Sequence, residues 1–372
     1  MNVLVVFTYG YSLETWNESG TIFRELSIYK KLHELYGIEF TFLTFSNGKT
    51  DFDLGKYGIK VIPIYDYINF SGNKYIDYLR SFLIPFYLKE IVRNVTLIKQ
   101  NQLLGSWISI IMKILYKKPL FIRTGYDMYK FSIEEKKHFL VKTLYKLLTI
   151  LSIYFSDIYS VSSEDDIKFL KKNIKIKKDI ILRRNWILGT DYIPFSQRID
   201  MKLLSVGRLE TQKNFSQLIK SLEGTNYSLD IVGSGSLKDS LVKQAKLHNV
   251  EVNFIESIEN TKLIKYMSNY KYYVSTSKFE GNPKTILEAM SAGCVVIASN
   301  IANHTEIIEN HFSGVILDDE ADGLQITLNN LNKNMEEALS INGYNFVNKY
   351  YSLESVCLDE YNDYYHLSSE DK

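Results

Sequence analysis

Two glutamates eight residues apart have the type and spacing to bind different parts of one extended ligand. Glu280 and Glu288 lie in the stretch SKFEGNPKTILEAMSAG (277–293), the first in a loop and the second inside a predicted helix. Carboxylates accept hydrogen bonds from pairs of hydroxyl groups, such as those of a sugar or a ribose. At the rise of an α-helix, Glu288 lies about 7–8 Å beyond the helix start. A plain loop carboxylate and a lysine-paired helix residue are the structural alternatives.

The same stretch predicts the start of a helix beside Glu280. Asn282 is a favourable N-cap and Pro283 is a favourable first helical residue. The backbone N–H groups and the positive dipole end of such a helix suit an anion or sugar hydroxyls.

A second charged pair follows the predicted strand MKLLSV. Gly207 ends this strand, and Arg208 and Lys213 flank the turn into the next helix. A guanidinium fork and an ammonium at a strand end are what a diphosphate leaving group needs, although surface charge is the alternative. In IVGSGS, Gly233 and Gly235 allow the backbone to approach a phosphate or sugar closely, although such a pair is often only a turn.

The elements that must position these residues alternate between strands and helices. MNVLVVF is a continuous apolar run, typical of a strand buried in a parallel sheet, and IEFTFLTF is the next strand. Between them TIFRELSIYKKLHELYG predicts a helix that Gly37 ends. Further strands are predicted in 58–65, 118–125 and 157–163, and then in MKLLSV, SLDIV, VEVNFIES, YKYYVSTS and CVVIASN. Open α/β sheets bind ligands at the carboxyl ends of their strands.

The chain of 372 residues is long enough for about two domains. Residues 183–200 contain Gly, Pro, Asn and Asp and break the periodicity, so they predict a linker. We therefore predict an α/β fold with two Rossmann-like parallel-sheet lobes, 1–190 and 191–349, that face a cleft. The last helix, 350–372, either caps its own lobe or packs back on the first.

Charge is divided unevenly along the chain. Residues 1–190 contain 28 Lys and Arg against 18 Asp and Glu, and the rest contains 16 against 25. The basic first lobe predicts either peripheral contact with anionic lipid headgroups or an acidic acceptor, with a lysine-rich solvated surface as the alternative.

Two cysteines exclude a disulfide scaffold and suit a reducing compartment. MNVLVVFTYG lacks the features of a signal peptide, and no transmembrane helix is predicted. The most apolar segment, KLLTILSIYF (146–155), is expected to be a buried helix. These features predict a cytoplasmic protein, either free or at the inner face of the membrane.

The motifs together resemble glycosyltransferase family 4, a family of retaining, nucleotide-sugar-dependent enzymes with the GT-B fold. GR-x4-KN, IVGSGS and S-x2-EGNPKTILEAMSAG occur in the family's order, and its E-x7-E signature falls on Glu280 and Glu288. The resemblance is strong over residues 201–318. It is weaker in the first half, where GTIFRELSIYKKL is similar to the family's glycine loop and first helix.

The resemblance implies a role for each matching residue. Arg208 and Lys213 would neutralise the departing diphosphate, and Glu280 would complete the catalytic set by holding the donor sugar. The residues that bind the donor would be Gly20, Gly207, Gly233, Gly235, Gly281, Asn282, Pro283, Lys284, Thr285 and Glu288. Glu256 stands where many relatives have a glycine, which leaves recognition of the nucleotide base open.

The acceptor side departs from the family pattern. Many members carry a histidine in the first lobe near the reacting carbon, but none of the six histidines lies between His33 and His138. Arg123, Tyr126 and Asp127 are the candidates to occupy this region, with a strand-end turn as the alternative.

The resemblance implies a hexosyltransferase-type enzyme that needs no metal or cofactor. Its partners would be a nucleotide-sugar donor and a saccharide or lipid-linked acceptor, as in cell-surface polysaccharide or glycolipid synthesis, and no nucleic acid is expected. A nucleotide-sugar epimerase of the same fold and an inactive two-lobed sugar-binding protein are the alternatives. A nicotinamide dehydrogenase is disfavoured because FTYGYSLETW lacks G-x-G-x-x-G.

Overall fold

The computed structural model describes residues 1–48, 52–318 and 323–369, which form two compact units. Unit 1 contains Met1–Arg184 and the segment that starts at Leu353, and unit 2 contains Asn185–Ser352. The chain therefore leaves unit 1 after Arg184 and returns to it at Leu353.

Unit 1 is built on a seven-stranded parallel sheet with the order β3-β2-β1-β4-β5-β6-β7. The central strand β1 is buried along most of its length, as its continuous apolar run predicts. The strands of this sheet are β1 Asn2–Val6, β2 Glu39–Thr44, β3 Ile59–Pro63, β4 Leu97–Asn101, β5 Leu120–Thr124, β6 Ile158–Val161 and β7 Ile181–Leu182.

Ten α-helices of the described part of unit 1 cover this sheet. The predicted helix after β1 is present, and Gly37 ends it in the left-handed conformation with φ of 63°. The helices are α1 Leu13–Glu18, α2 Ile22–Tyr36, α3 Lys74–Ser81, α4 Ile84–Tyr87, α5 Lys89–Arg93, α6 Ser106–Tyr116, α7 Met128–Glu134, α8 Phe139–Phe155, α9 Glu164–Asn173 and α17 Leu353–Ser369.

The last helix, α17, packs against α2 and β4 of unit 1. Inside this contact the buried Lys99 of β4 forms an ion pair with the buried Glu360 of α17. Near it, Arg183 holds the Asp363 carboxylate with two hydrogen bonds of 2.6 Å. These charge-assisted contacts fix α17 to the first sheet.

Unit 2 contains a six-stranded parallel sheet with the order β10-β9-β8-β11-β12-β13. Its strands are β8 Ile199–Val206, β9 Ser228–Val232, β10 Val252–Ile255, β11 Tyr270–Ser275, β12 Val295–Ser299 and β13 Val315–Leu317. Its helices are α10 Phe215–Lys220, α11 Lys238–Leu247, α12 Asn260–Met267, α13 Lys284–Ser291, α14 Ala302–Thr305, α15 Gly323–Asn330 and α16 Lys333–Tyr350. Two parallel sheets with crossover helices confirm the predicted α/β, Rossmann-like class.

Two features of unit 1 differ from the sequence analysis. Strand β4 is not among the predicted strands: Lys99 and Gln100 interrupt its apolar pattern, yet both are buried. Lys99 is paired with Glu360, and Gln100 accepts a hydrogen bond from Ser109, so each polar group is satisfied inside the unit.

The second difference concerns the apolar segment 146–155. It lies in α8, but Leu147 is 52% exposed and Tyr154 is 75% exposed, so the helix is not buried. Within residues 1–48, 52–318 and 323–369, no helix combines the length and apolarity required to span a bilayer.

Candidate functional site

Three glycines bring the ends of β8 and β9 into close contact in unit 2. A Cβ at Gly233 would lie 2.0 Å from the Gly207 oxygen, and a Cβ at Gly235 would lie 2.6 Å from the Leu209 oxygen. The backbones are joined there by a hydrogen bond of 2.9 Å from Leu209 N to Ser234 O. Backbone packing therefore accounts for the IVGSGS glycines, whether or not they also approach a ligand.

Gly207 also leaves space for the side chain of Lys213. A Cβ at Gly207 would come within 2.8 Å of Lys213 Cε. The lysine passes over the glycine and its Nζ donates to Glu280 Oε1 at 2.5 Å. Glu280 is 7% exposed and accepts a second hydrogen bond, of 2.6 Å, from Ser277 Oγ. The strand end after β8 and the loop after β11 thus meet in one charged pair.

The second glutamate of the E-x7-E pair lies deeper in the same unit. Glu288 on α13 is 2% exposed, and its Oε1 accepts a hydrogen bond of 2.7 Å from Asn260 Nδ2. Tyr273 of β11 lies near both carboxylates. Burial raises the pKa of the Tyr273 phenol, and the negative charges of Glu280 and Glu288 add to that increase. Because Tyr273 lies near both, the two glutamates belong to one local cluster.

His304 is a buried member of this cluster that the sequence did not single out. Its side chain is fully buried in α14, the short helix after β12, and its Nδ1 lies 2.9 Å from Ser299 O. Its Nε2 is buried without a hydrogen-bond partner. Burial lowers the pKa of His304 to about 4. The nearby Glu280 carboxylate opposes this decrease, and the Lys213 ammonium adds to it. The imidazole is therefore neutral at physiological pH.

The helix beside Glu280 begins one residue later than predicted. α13 starts at Lys284, whose backbone N donates to Asn282 O at 2.9 Å, and Pro283 occupies the position before it. Asn282 makes no side-chain cap, and its Oδ1 is buried without a partner. A buried polar atom of this kind is costly unless a water or ligand satisfies it. Gly281 is held in place because its oxygen accepts a hydrogen bond from Asn303.

A cavity of about 340 Å³ adjoins this cluster at the carboxyl ends of β11, β12 and β13. Ser277 and Ser299 line it, and the Ser299 hydroxyl donates to Ser277 O at 2.7 Å. Asn214, at the start of α10, and Lys278 complete its polar side. The cavity stands at the sheet edge where open α/β folds bind ligands.

Not every predicted residue of unit 2 joins the cluster. The side chain of Arg208 is exposed. The pKa of the nearby Glu210 carboxyl is lowered by hydrogen bonds from Ser236, and the Arg208 charge adds to this decrease. The Glu210 carboxylate accepts two hydrogen bonds from Ser236, and these hold the IVGSGS loop against the loop after β8. Thr285 does reach the cluster, because its side chain hydrogen-bonds to Tyr273.

The remaining predicted residues belong to unit 1. Gly20 precedes α2 with φ of 69°. Arg123 is buried, donates to Arg184 O at 2.7 Å and lies 3.7 Å from Glu360. Asp127 caps α7 by accepting a hydrogen bond from Lys130 N at 2.7 Å. Tyr126 is 38% exposed.

Burial also changes the acidity of Asp127. Its pKa is raised to about 7, chiefly by burial, and Asp166 adds to the shift. Both Arg123 and Asp127 therefore have structural contacts that would explain their presence without a ligand. Among the described residues, no group of three His, Cys, Asp or Glu side chains is placed to hold a metal ion.

Residues 195–346 match the model of the family described as Glycosyl transferases group 1. We call this matched stretch the group 1 segment. The group 1 segment contains the Lys213–Glu280 pair, Glu288, His304 and the cavity beside them. It lies wholly within unit 2.

Curated relatives are similar to this chain over different lengths. An N-acetylgalactosaminyltransferase of Campylobacter jejuni, named for a diacetylbacillosaminyl-diphospho-undecaprenol substrate, is 30% identical over 137 residues. That match covers 36% of this chain and only 35% of the relative. The UDP-Gal:alpha-D-GlcNAc-diphosphoundecaprenol alpha-1,3-galactosyltransferase of Escherichia coli is 24% identical over 332 residues, which cover 76% of this chain and 86% of the enzyme.

Solved structures extend the likeness of the group 1 segment to the full fold. Sucrose-phosphate synthase from Thermosynechococcus elongatus superposes with a TM-score of 0.77 and covers 100% of both chains. At 14% identity this likeness concerns the fold alone. The chain therefore has the GT-B fold, as the sequence predicts.

Proposed function

We propose that this protein is a retaining glycosyltransferase that moves a sugar from a nucleotide-diphosphate sugar to an acceptor hydroxyl. One observation carries the proposal: the Lys213–Glu280 ion pair lies at the carboxyl edge of a parallel sheet, within a group 1 segment. A cation and a carboxylate held together can bind the two parts of a sugar diphosphate, the phosphate and the sugar. The cation faces the phosphate and the carboxylate accepts from sugar hydroxyls.

The chemistry asks the protein mainly for charge stabilisation. As the glycosidic bond breaks, positive charge develops on the sugar and negative charge on the diphosphate. Lys213 and Arg208 would stabilise the leaving diphosphate, and Glu280 would orient the sugar. The acceptor hydroxyl would attack from the face that the diphosphate leaves and pass its proton to the departing phosphate oxygen, so the configuration at the anomeric carbon is retained. No protein nucleophile is required.

The rest of the cluster would bind the donor. Glu288 would accept hydrogen bonds from the ribose hydroxyls, and Asn260 holds that carboxylate in position. The amides around Gly281, Asn282 and Thr285 would contact the donor sugar. The buried, unpartnered Asn282 Oδ1 supports a polar ligand at this point. Gly20, before α2 in unit 1, would allow the backbone to approach a phosphate.

We propose a UDP-sugar as the donor and a polyprenol-diphosphate-linked saccharide as the acceptor. The name of the Escherichia coli relative supports both, and the name of the Campylobacter relative supports the acceptor. Unit 1, with its excess of basic residues, would bind this acceptor, and Arg123, Tyr126 and Asp127 are candidates for contact. The reaction would then occur at the cytoplasmic face of the membrane, in cell-surface polysaccharide or glycolipid synthesis.

The proposed enzyme needs no metal, because Lys213, Arg208 and backbone amides supply positive charge to the diphosphate. The decisive experiment is a nucleotide-release assay with UDP-, GDP- and ADP-sugars, with and without polyprenol-diphosphate-linked saccharide and EDTA. UDP release that requires acceptor and persists in EDTA supports the proposal. Sugar isomerisation without acceptor would instead identify an epimerase, and thermal stabilisation by donor without release would identify a sugar-binding protein.

A further inference from the structure

Helix α8 of unit 1 exposes most of its large apolar residues. A surface helix normally buries its apolar stripe against the core and exposes its polar residues. The buried residues of α8 are Thr149, Ser152 and Ile153, and the Ser152 hydroxyl donates to Ser106 of α6 at 2.9 Å. Leu148 and Phe155 also pack, partly buried, against the core, so the contact is mixed, and the other apolar residues of the helix are left outside.

The exposed apolar residues of α8 form one continuous stripe. They are spaced three and four residues apart, so they share one face of the helix. The stripe consists of Leu140, Leu144, Leu147, Leu151 and Tyr154, which are 61%, 56%, 52%, 38% and 75% exposed. Phe139, at the start of the helix, is 65% exposed beside it. Isolated exposed leucines are ordinary, but a stripe of this length is not.

Neighbouring helices extend this apolar surface. α6 contacts both α8 and α4. The α6–α4 contact includes a hydrogen bond of 2.9 Å from the Tyr116 hydroxyl to Pro85 O. Near its end α6 exposes Ile114, and α4 exposes Phe86 and Tyr87, each by more than half. We call these exposed residues of the three helices the α4–α6–α8 surface.

The charge on α8 has one sign. Between Lys136 and Ser156 the chain has four lysines and no acidic residue. Lys142 and Lys146 lie on the helix itself, one and two turns after its start. Acidic residues occur only at the margins, with Glu135 before the segment and Asp157 after it. Asp157 forms an ion pair with Lys113, which neutralises its charge.

We propose that the α4–α6–α8 surface docks on an anionic lipid bilayer. Exposed leucines, phenylalanines and tyrosines with lysines on the same helix are the pattern of an interfacial helix that lies in the membrane surface. The apolar stripe enters the boundary between headgroups and acyl chains, and the net positive charge of the surrounding residues 84–156 attracts anionic headgroups. The inference concerns unit 1 alone and does not depend on the chemistry proposed for unit 2.

Charge favours a bilayer over a second copy of this chain. A two-fold dimer through α8 would place the same surface opposite itself. Residues 84–156, which include the three helices, contain 12 Lys and Arg against 4 Asp and Glu, so such a dimer would bring like net charge together, which is unfavourable. An anionic bilayer instead attracts this net positive charge.

The test is co-sedimentation of the full chain with vesicles. We expect the chain to bind vesicles that contain phosphatidylglycerol, and to bind pure phosphatidylcholine vesicles more weakly. The double variant Leu144→Gln/Leu147→Gln should reduce the partition coefficient at least tenfold. The matched control is Leu247→Gln on α11 of unit 2, where Leu247 is 77% exposed, and it should bind as the wild type does.

Three outcomes would overturn the proposal. The wild type could fail to bind either vesicle, or the leucine variant could bind as the wild type does. Sedimentation velocity without vesicles could also show a dimer that the leucine variant dissociates, which would make the surface an interface between copies. Circular dichroism and thermal unfolding confirm that the variant is folded. Vesicle binding needs no sugar donor, so its failure and a failure of the proposed transferase activity are separate results.

Discussion

Lys213 Nζ lies 2.5 Å from Glu280 Oε1, although 67 residues separate them in the chain. The loop after β8 supplies the lysine, and the loop after β11, a neighbouring strand of the sheet, supplies the carboxylate. Substitution of either residue therefore also leaves the other without its ion-pair partner.

Lys213→Ala should reduce donor turnover by about a hundredfold or more, because it removes the cation that stabilises the leaving diphosphate. The loss should exceed any change in stability, and thermal unfolding measured beside nucleotide release checks both. Lys220→Ala, at an exposed lysine of α10, is the control and should behave as the wild type does. Wild-type turnover in Lys213→Ala would refute the role assigned to Lys213.

Glu288→Gln should weaken donor binding more than it slows turnover at saturation. The substitution keeps the shape of the side chain but removes the carboxylate that accepts from the ribose hydroxyls, so we expect KM for the donor to rise about tenfold. Steady-state kinetics with a UDP-sugar measures this split. Glu337→Gln, at an exposed glutamate of α16, serves as the control. An unchanged KM in Glu288→Gln would contradict ribose binding.

His304 should make the protein less stable in mild acid. Its folded pKa of about 4 lies below the ordinary value of 6.5, so protons bind the unfolded chain first. The contribution of neutral His304 is complete above pH 6.5 and is lost as the pH falls toward 4. Between pH 7.5 and pH 5 we expect a loss of about 2 kcal/mol. Urea unfolding at both pH values should show that His304→Asn lacks this loss, whereas His366→Asn, at an exposed histidine, retains it.

Asp127→Asn should stabilise unit 1 at alkaline pH. The folded pKa of Asp127, about 7, lies above its ordinary value of 3.8, so the folded state resists ionisation. The stability that the neutral carboxyl contributes falls as the pH rises from about 4 to 7. Asparagine caps a helix as well as aspartate does and carries no charge, so a gain of about 1–3 kcal/mol is expected at pH 8 and little at pH 4.

Urea unfolding measures that gain, with the exposed Asp179→Asn as the control. The same variant tests the acceptor-side prediction. If Asp127 contacts the acceptor, transfer should fall while donor binding is unchanged. Unaltered transfer would leave Asp127 as a helix cap only.

Glu360→Gln should destabilise unit 1 by about 3–5 kcal/mol, because it leaves the Lys99 ammonium buried without a counter-charge. Urea unfolding followed by fluorescence checks this value. Glu354→Gln on the same helix is the matched control. Glu354 is paired with Lys31 but is 66% exposed, so its loss should cost less than about 1 kcal/mol. Equal effects of the two variants would show that the buried pair does not hold α17.

The sequence predicts the fold class well because most strands are apolar runs between clear helix boundaries. It fails at β4, where the partners of Lys99 and Gln100 lie far away in the chain or on the next helix. Apolar periodicity cannot reveal a buried ion pair that forms only in the folded unit. It also fails for α8, since apolarity alone does not say whether a helix meets the core or another surface.

The candidate site is likewise predicted only in part by the sequence. The motifs indicate Lys213, Glu280 and Glu288, and the structure adds the contacts between them. His304 has no local signal, because a single histidine in SNIANHTEII resembles any other until its burial beside Ser299 is known. For the glycines of IVGSGS the structure adds the close packing of two backbones, and their contact with a donor stays a prediction.

The division of unit 1 into two chain segments has a consequence for biosynthesis. Lys99 is translated 261 residues before its partner Glu360, and all of unit 2 emerges from the ribosome between them. Since domains tend to fold as they are made, we expect unit 2 to mature first while the early strands wait for their final helix. A nascent chain that ends before residue 353 should therefore contain a folded unit 2 and a unit 1 that lacks α17 and leaves Lys99 without its partner.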